Sequence, residues 1–290
     1  MAKLAILGGE KLYPDVKALN VPDWPPRTDK MKKRLLDVFE SGAWSFNSPA
    51  EQQFEAEFAE FQNARYGIFM ANGTVTLECA LQAFGVGPGD EVIVPAFTWM
   101  ATALAASYVG AIPVFVDIEP DTFCMDPAKM EAAIPPKTKA VIPVHAYSSM
   151  ADMDKIMAIA RKHNLKVIED SAHAHGAKWN GRGAGSIGDV GSFSFQQSKT
   201  MCSGEGGICT TNDPDIAEKL FLLKHIGYVR GNKQGGGSQK PPQGLLCHNY
   251  RCTAFQAALL SEELKDFPER LARCAENAEY IRTHLKVHGW

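Results

Sequence analysis

Between Tyr66 and Asp170, short apolar runs alternate with stretches of helical periodicity, and this alternation restricts the chain to very few architectures. The runs at 67–71, 91–94, 113–116, 140–144 and 166–169 are rich in Val, Ile, Phe and Ala. Segments 74–84, 98–109 and 152–163 repeat apolar residues at the spacing of one helix face. Strands this short and this apolar are buried on both faces, and strands separated by helices pair in parallel. Gly85-Val86-Gly87-Pro88-Gly89-Asp90 and Gly110-Ala111-Ile112-Pro113 supply helix-to-strand turns. Two further strand-like runs, 191–196 and 207–211, precede a helix over 213–225. The expectation is an α/β fold with a mostly parallel sheet of seven strands sandwiched by helices.

The flanks read differently. The first forty residues carry Pro14, Pro22, Pro25 and Pro26 with little periodicity, which predicts an arm ending in a helix over 29–40. A second helix is expected over 50–61, with Phe54, Phe58 and Phe61 on one face. Residues 230–244, with Gly-Gly-Gly-Ser and Pro-Pro, read as a mobile loop that orders against a partner. Helices over 253–264 and 268–285 follow, and the chain ends at Trp290. The organisation expected is an arm and helix (1–45), a large α/β domain (46–265), and a helix leading away from it (266–290).

Composition removes several classes of function. Thirty basic against 33 acidic side chains leave a formal charge of −3, too little basic surplus for a protein that works by clamping phosphate backbones. No uninterrupted apolar run approaches the ~18–20 residues of a membrane helix, and the N-terminus lacks a secretory h-region. Neither nucleic acid nor membrane is therefore expected as a partner. The seven cysteines (Cys79, Cys124, Cys202, Cys209, Cys247, Cys252, Cys274) are scattered and never form Cys-x-x-Cys. That pattern predicts free thiols in a reducing cytoplasm.

Ligands of open α/β sheets sit at the carboxyl ends of the strands, so residues that follow strands are the candidates. Asn72-Gly73-Thr74 opens a helix, where free N–H groups and the helix dipole hold phosphate; the alternative is a Thr N-cap with glycine supplying the turn. No Gly-x-Gly-x-x-Gly follows that strand, which argues against a dinucleotide fold. Trp99 either lies flat on an aromatic ligand or belongs to the core. Asp170 ends a hydrophobic strand, where a carboxylate is costly to bury unless it meets a cation. His173 and His175 beside it allow a metal reading, but residues two apart do not share a helix face. With no Cys or carboxylate cluster to complete a set, no metal is expected. Lys199 lies between two apolar runs and beside Gly204-Glu205-Gly206-Gly207, not on a charged face. A partly desolvated amine there is the more nucleophilic. A phosphate cradle, a stacking ring, a strand-end aspartate and a downstream lysine, in that order, describe a pyridoxal 5′-phosphate site.

The chain resembles the DegT/DnrJ/EryC1/StrS family of pyridoxal-phosphate-dependent sugar and cyclitol aminotransferases, of fold type I. The resemblance runs through the N-terminal Leu-Gly-Gly, Gly-Asp-Glu-Val-Ile-Val-Pro-Ala-Phe-Thr-Trp (89–99) and Pro-Val-Phe-Val-Asp-Ile (113–118). It continues in Glu-Asp-Ser-Ala-His-Ala-His-Gly-Ala (169–177), Ser-Phe-Gln-Gln-Ser-Lys (194–199) and Asn249-Tyr250-Arg251. It implies that Lys199 bonds covalently to the cofactor and that Gly73, Thr74 and Ser194 hold its phosphate. It further implies that Trp99 stacks on the ring, Asp170 meets the pyridine nitrogen, Ala172 packs on the other ring face, and His173 lies near the phenolic oxygen. Asn249 matches a residue that reaches the neighbouring subunit's phosphate, which implies a homodimer with shared sites. The implied reaction transfers an amino group from glutamine or glutamate to a keto-sugar or keto-cyclitol. Ser-Phe-Gln-Gln together with Trp99 is more similar to the keto-cyclitol and aminohydroxybenzoate-synthase branch.

The alternatives are other chemistry on the same cofactor, a synthase or dehydratase, or a non-catalytic cofactor-binding protein. Dehydratase relatives replace the lysine with His, which Lys199 does not match. Two departures stand out. Tyr147 is followed by Ser148-Ser149-Met150 where the family has Tyr-Gly, and the chain stops where family members continue into a small C-terminal domain, so that domain is expected to be largely missing.

Overall fold

The computed structural model describes residues 3–11, 13, 15, 22–231 and 244–284. Most of the loop expected over 230–244, and the chain end at Trp290, lie outside these residues.

Among the described residues nine strands follow one another as β1 (Tyr66–Met70), β2 (Glu91–Pro95), β3 (Ile112–Val116), β4 (Thr138–Val141), β5 (Lys166–Asp170), β6 (Lys178–Trp179), β7 (Arg182–Gly183), β8 (Val190–Ser194) and β9 (Gly207–Thr211). β6 and β7 make a small antiparallel hairpin, and the other seven form one sheet in the order β1-β9-β8-β5-β4-β2-β3. From β8 through β5, β4 and β2 to β3 every pairing is parallel. β9 alone runs against the rest, pairing antiparallel with both β8 and β1. Consequently the carboxyl ends of β1, β2, β5 and β8 open on one edge of the sheet, where Gly207 also begins β9.

The helices are α1 (Asp29–Ser41), α2 (Pro49–Phe61), α3 (Gly73–Ala83), α4 (Ala101–Tyr108), α5 (Pro127–Ala132), α6 (Met153–Lys162), α7 (Pro214–Lys224) and α8 (Ala254–His284). Capping side chains set many of their starts. Thr28, Ser48, Asn72, Asp126, Asp152 and Asp213 each accept a backbone N–H from the first turn that follows. The strand pleat divides the core. Val92, Val94 and Ile168 face α3, α4 and α7, whereas Ile93, Val141 and Val167 face α5 and α6. A third cluster of Phe54, Phe58, Phe69, Phe193, Phe195 and Phe267 joins α2 and α8 to the sheet.

Three sequence expectations need correction. The helices expected over 253–264 and 268–285 are one element, α8, with Pro268 inside it. The proline ring forfeits the bond to the Leu264 carbonyl. Burial of Phe267 against Phe61, with Leu264 and Leu271 on either side, keeps the helix intact across it. The strand expected over 140–144 pairs as a ladder only to Val141, because Pro143 has no N–H to offer. It then continues as an irregular bridge in which Asp170 N donates to Pro143 O (2.9 Å) and His145 N to Asp170 O (3.0 Å). Helix α4 starts at Ala101 rather than near 98, leaving Thr98–Met100 as a turn at the sheet edge. Among the described residues no helix is long and apolar enough to cross a membrane.

Candidate active site

A cavity of about 1210 Å³ lies at the carboxyl edge of the sheet. Gly73, Thr74, Trp99, Asp170, Ala172, His173, Ser194 and Lys199 all line it, although they come from five separate stretches of chain. Asn249 is exposed outside it and bridges to His225.

The turn between β1 and α3 forms one wall. Its helix cap is Asn72, not Thr74: the Asn72 Oδ1 accepts from Thr74 N (3.0 Å) and Val75 N (3.1 Å). Thr74 is thus left with a hydroxyl that makes no hydrogen bond among the described residues while lining the cavity. Glycine is required at position 73 by contact, since a Cβ there would sit 2.7 Å from the Ser194 Cβ. Gly73→Ala should therefore cost about 1–3 kcal/mol through overpacking, read as a lower urea midpoint at unchanged slope.

Asp170 is buried at the end of β5, and its partners form a short directed chain. Its Oδ2 accepts from the Thr102 hydroxyl (2.8 Å), and Thr102 in turn meets the Thr98 hydroxyl at 2.7 Å. A carboxylate only accepts, so Thr102 spends its proton on Asp170 and Thr98 must donate to Thr102. The Asp170 Oδ1 takes the Ala172 N–H at 3.3 Å. Asp170 thereby enters the cavity as an oriented anion with no ion pair among the described residues.

The neighbouring Glu169 points to the opposite face and does purely structural work. Its two oxygens accept from His145 Nε2 (2.9 Å) and from the backbone N–H groups of Gly185 (2.9 Å), Ile187 (2.7 Å) and Gly188 (2.7 Å). Burial alone would raise this carboxyl, but His145 and the backbone donors hold it below the usual carboxylate range. His145 Nδ1 accepts from Ala151 N, which leaves Nε2 to donate to Glu169.

The two histidines of the Ser-Ala-His-Ala-His run separate. His175 is buried, with Nε2 donating to Ser194 O (3.0 Å) and Nδ1 accepting from the Thr200 hydroxyl (3.2 Å). Desolvation pushes it down to about 3, so it is neutral with both nitrogens engaged and cannot act as a metal ligand. Among the described residues no group of three His, Cys, Asp or Glu is placed to hold a metal. His173 is half-buried, lowered by burial and then by the Lys199 charge, so its ring is neutral at pH 7. The Tyr147 ring stacks on it at 5.6 Å and 18°.

Lys199 lies in the turn after β8, half-buried, and its ammonium makes no hydrogen bond or ion pair among the described residues. Burial holds it below the ordinary lysine range, with Asp170 opposing. A primary amine shifted towards neutrality beside an oriented carboxylate is a nucleophile available for carbonyl chemistry.

Sequence reasoning missed Thr102, and it marked Tyr147 and Ser148 only as a departure from the family's Tyr-Gly, without placing them at the site. Thr102 had a usable signal, standing four residues after Thr98 and one helical turn away. Tyr147 and Ser148 adopt φ of 50° and 68°, a region in which glycine is free and serine is not. At the position of the family's Gly, Ser148 offsets that strain by donating its hydroxyl to His173 O at 2.7 Å.

The fold and this cavity agree with what the whole sequence matches. A model of the DegT/DnrJ/EryC1/StrS aminotransferase family aligns with residues 26–289, and the chain belongs to that family. It is 42% identical over 277 residues to an L-glutamine:2-deoxy-scyllo-inosose aminotransferase of Streptoalloteichus tenebrarius, covering 92% of this chain and 65% of that protein. Among solved structures it superposes on the aminotransferase of Psychrobacter cryohalolentis with a TM-score of 0.84 at 39% identity, over 90% of this chain and 67% of the other. The Streptococcus pneumoniae protein Spr1654, solved in its PLP form, gives 0.81 at 29% identity over 91% and 71%. The chain thus spans about two thirds of the length of these relatives.

Proposed function

We propose that this protein is a pyridoxal 5′-phosphate-dependent aminotransferase that moves an amino group from glutamine or glutamate to a keto-sugar or keto-cyclitol. The observation that carries this reading is the meeting of Lys199 and Asp170 in one cavity whose wall is the glycine-led start of α3. The residues fit the cofactor: Gly73 allows close approach of backbone to ligand, the Thr74 hydroxyl is uncommitted, and Ser194 lies against Gly73. Gly73, Thr74 and Ser194 would hold the phosphate, Trp99 and Ala172 the two ring faces, and His173 the phenolic oxygen. The cofactor supplies an electrophilic carbonyl and a ring that absorbs the electrons of a broken Cα–H bond. Asp170 holds a proton on the ring nitrogen, which keeps that sink open. Lys199 would be the residue that anchors the cofactor, and its free amine would take the proton from the donor's Cα and hand it on, base first and acid second.

The inosose acceptor named for the Streptoalloteichus relative supports a keto-cyclitol here, as do Ser-Phe-Gln-Gln and Trp99. Phe97, Trp99, Met100, Tyr108, Phe123 and Tyr147 are all exposed, and four of them line the cavity. An apolar surface of that size around a polar site fits a homodimer with shared sites, in which the exposed Asn249 reaches the partner's cofactor. The seven free cysteines fit a reducing cytoplasm.

The test is spectroscopic. Pyridoxal phosphate added to the protein should give a long-wavelength band, and borohydride should fix the cofactor on Lys199, located by peptide mass. Glutamine alone, without a keto acceptor, should convert the band to that of the pyridoxamine form. A fixed adduct that persists in Lys199→Ala, or a spectrum unmoved by glutamine and by glutamate, would reject the reading.

A further inference from the structure

The turn that carries Lys199 has no regular secondary structure, yet its backbone is gripped from outside the cavity at three points. The Trp24 indole N–H donates to the Gln197 carbonyl at 2.6 Å. Arg270, on α8, donates to the Thr200 carbonyl at 2.8 Å. Glu263, one face of the same helix and almost fully buried, accepts the Cys202 N–H at 3.0 Å.

These three side chains also hold one another. The second oxygen of Glu263 binds Arg270 at 2.6 Å. The guanidinium lies 5.4 Å from the Trp24 ring centroid and 4.9 Å from that of Phe267. Trp24 therefore reaches the turn from the N-terminal arm, Arg270 and Glu263 reach it from α8, and the cation between the rings locks the two together. Within the turn, the support is local: Lys199 N donates to Gln196 O (2.9 Å) and Ser198 N to the Gln196 side chain (2.8 Å). Neither ties the turn to the body of the protein; besides the three outside contacts, the Thr200 hydroxyl does so by donating to His175 Nδ1 (3.2 Å), and Gln197 N donates across the loop to Gly204 O (3.0 Å).

We propose that Arg270, Glu263 and Trp24 are positioning residues for Lys199. They fix the backbone from which its flexible four-carbon stem departs, so that the amine meets the cofactor's carbonyl carbon. None of the three lines the cavity, so they act on Lys199 and not on the ligand. The inference rests on the proposed role of Lys199 as the covalent anchor. In that step the amine nitrogen bonds to the aldehyde carbon and the aldehyde oxygen leaves as water with both amine protons, without change of oxidation state. The rate of this step is sensitive to placement, since an error of about 1 Å in a reacting group costs on the order of 100-fold.

Two probes separate positioning from binding. Pyridoxal phosphate reports bond formation at Lys199, and pyridoxamine phosphate, which has no carbonyl, reports the cavity alone. Arg270→Ala should slow appearance of the covalent band about 10- to 100-fold, while its affinity for pyridoxamine phosphate stays within twofold of wild type. Arg270→Lys, which keeps a donor for Thr200 O and a cation for Glu263, should recover most of the rate. Trp24→Phe, which keeps the ring beneath Arg270 and loses only the N–H, should fall between them. Thermal midpoints follow each variant's folding. Wild-type bond-formation rates in Arg270→Ala would overturn the inference, and so would an equal loss of affinity for both probes. Absence of any Lys199 adduct in the wild-type protein would instead remove the functional reading beneath it.

Discussion

Replacing Asp170 with asparagine should leave the covalent adduct at Lys199 intact and lower the glutamine half-reaction about 100- to 1,000-fold. Asparagine has the shape of aspartate and keeps an oxygen to accept from Thr102 at the position now 2.8 Å away. The substitution therefore removes charge with little change of contact. The charge matters because two neutral donors, Thr102 and the Ala172 N–H, are the whole hydrogen-bond set of this buried carboxylate within the described residues. Protein rarely retains an anion in such surroundings unless a cation arrives with the ligand. In the proposed reaction a protonated ring nitrogen would be that cation, and without the carboxylate the ring would lose its proton and much of its capacity as an electron sink. Single-turnover absorbance with saturating glutamine measures the effect. Near-normal conversion in Asp170→Asn would show that ring protonation does not depend on this residue.

Much of this site was legible in the sequence because it is built from strand ends. Periodicity located all seven strands of the sheet, and a parallel sheet has one edge where its carboxyl ends gather. Thr74, Trp99, Asp170 and Lys199 were thus predictable as neighbours without any knowledge of register. The direction of β9 was less accessible, since a buried antiparallel strand reads as the same apolar run as a parallel one. What stayed hidden is whatever depends on side-chain contacts between distant segments. Trp24 sits in an arm with no periodicity, and nothing in its neighbourhood announces a hydrogen bond 173 positions away. Pro268 reads as a boundary because its local cost is visible in the sequence, whereas the burial of Phe267 that outweighs it is not. The same holds for charged residues on helices, which periodicity assigns to the solvent side. Glu51, Glu55 and Lys224 all break that assignment.

Lys224→Met should lower the unfolding free energy by about 3–5 kcal/mol, because it leaves two carboxylates buried without their counter-charge. The Lys224 ammonium, fully buried, meets Glu51 (2.7 Å), Glu55 (2.7 Å) and the Phe69 carbonyl (2.9 Å), pinning α2 and α7 to β1. Burial alone would depress this ammonium, but the two carboxylates raise it above the ordinary lysine value. With its folded value raised, its stabilisation is complete below about pH 10 and is lost only as pH climbs through that folded value. The wild-type cluster is consequently insensitive to pH between about 6 and 9 on the lysine side. Burial already raises the Glu55 carboxyl in the wild-type protein against the pull of Lys224, and in Lys224→Met that opposition is gone, so its folded value should rise further. The folded state then binds more protons than the unfolded one, and stability falls as pH rises. The deficit against wild type should accordingly be larger at pH 8 than at pH 5, as read from urea midpoints. An apolar triple replacement, Glu51→Leu with Glu55→Leu and Lys224→Met, should recover only part of the loss. Glu55 also accepts the Phe69 N–H (2.7 Å) and Glu51 the Asn47 N–H (3.0 Å), so removing the charges strands backbone donors that only these side chains satisfy. A triple variant as stable as wild type would mean that the cluster contributes through its charges alone; a deficit that does not change between pH 5 and pH 8 in Lys224→Met would mean that the carboxylates find water instead.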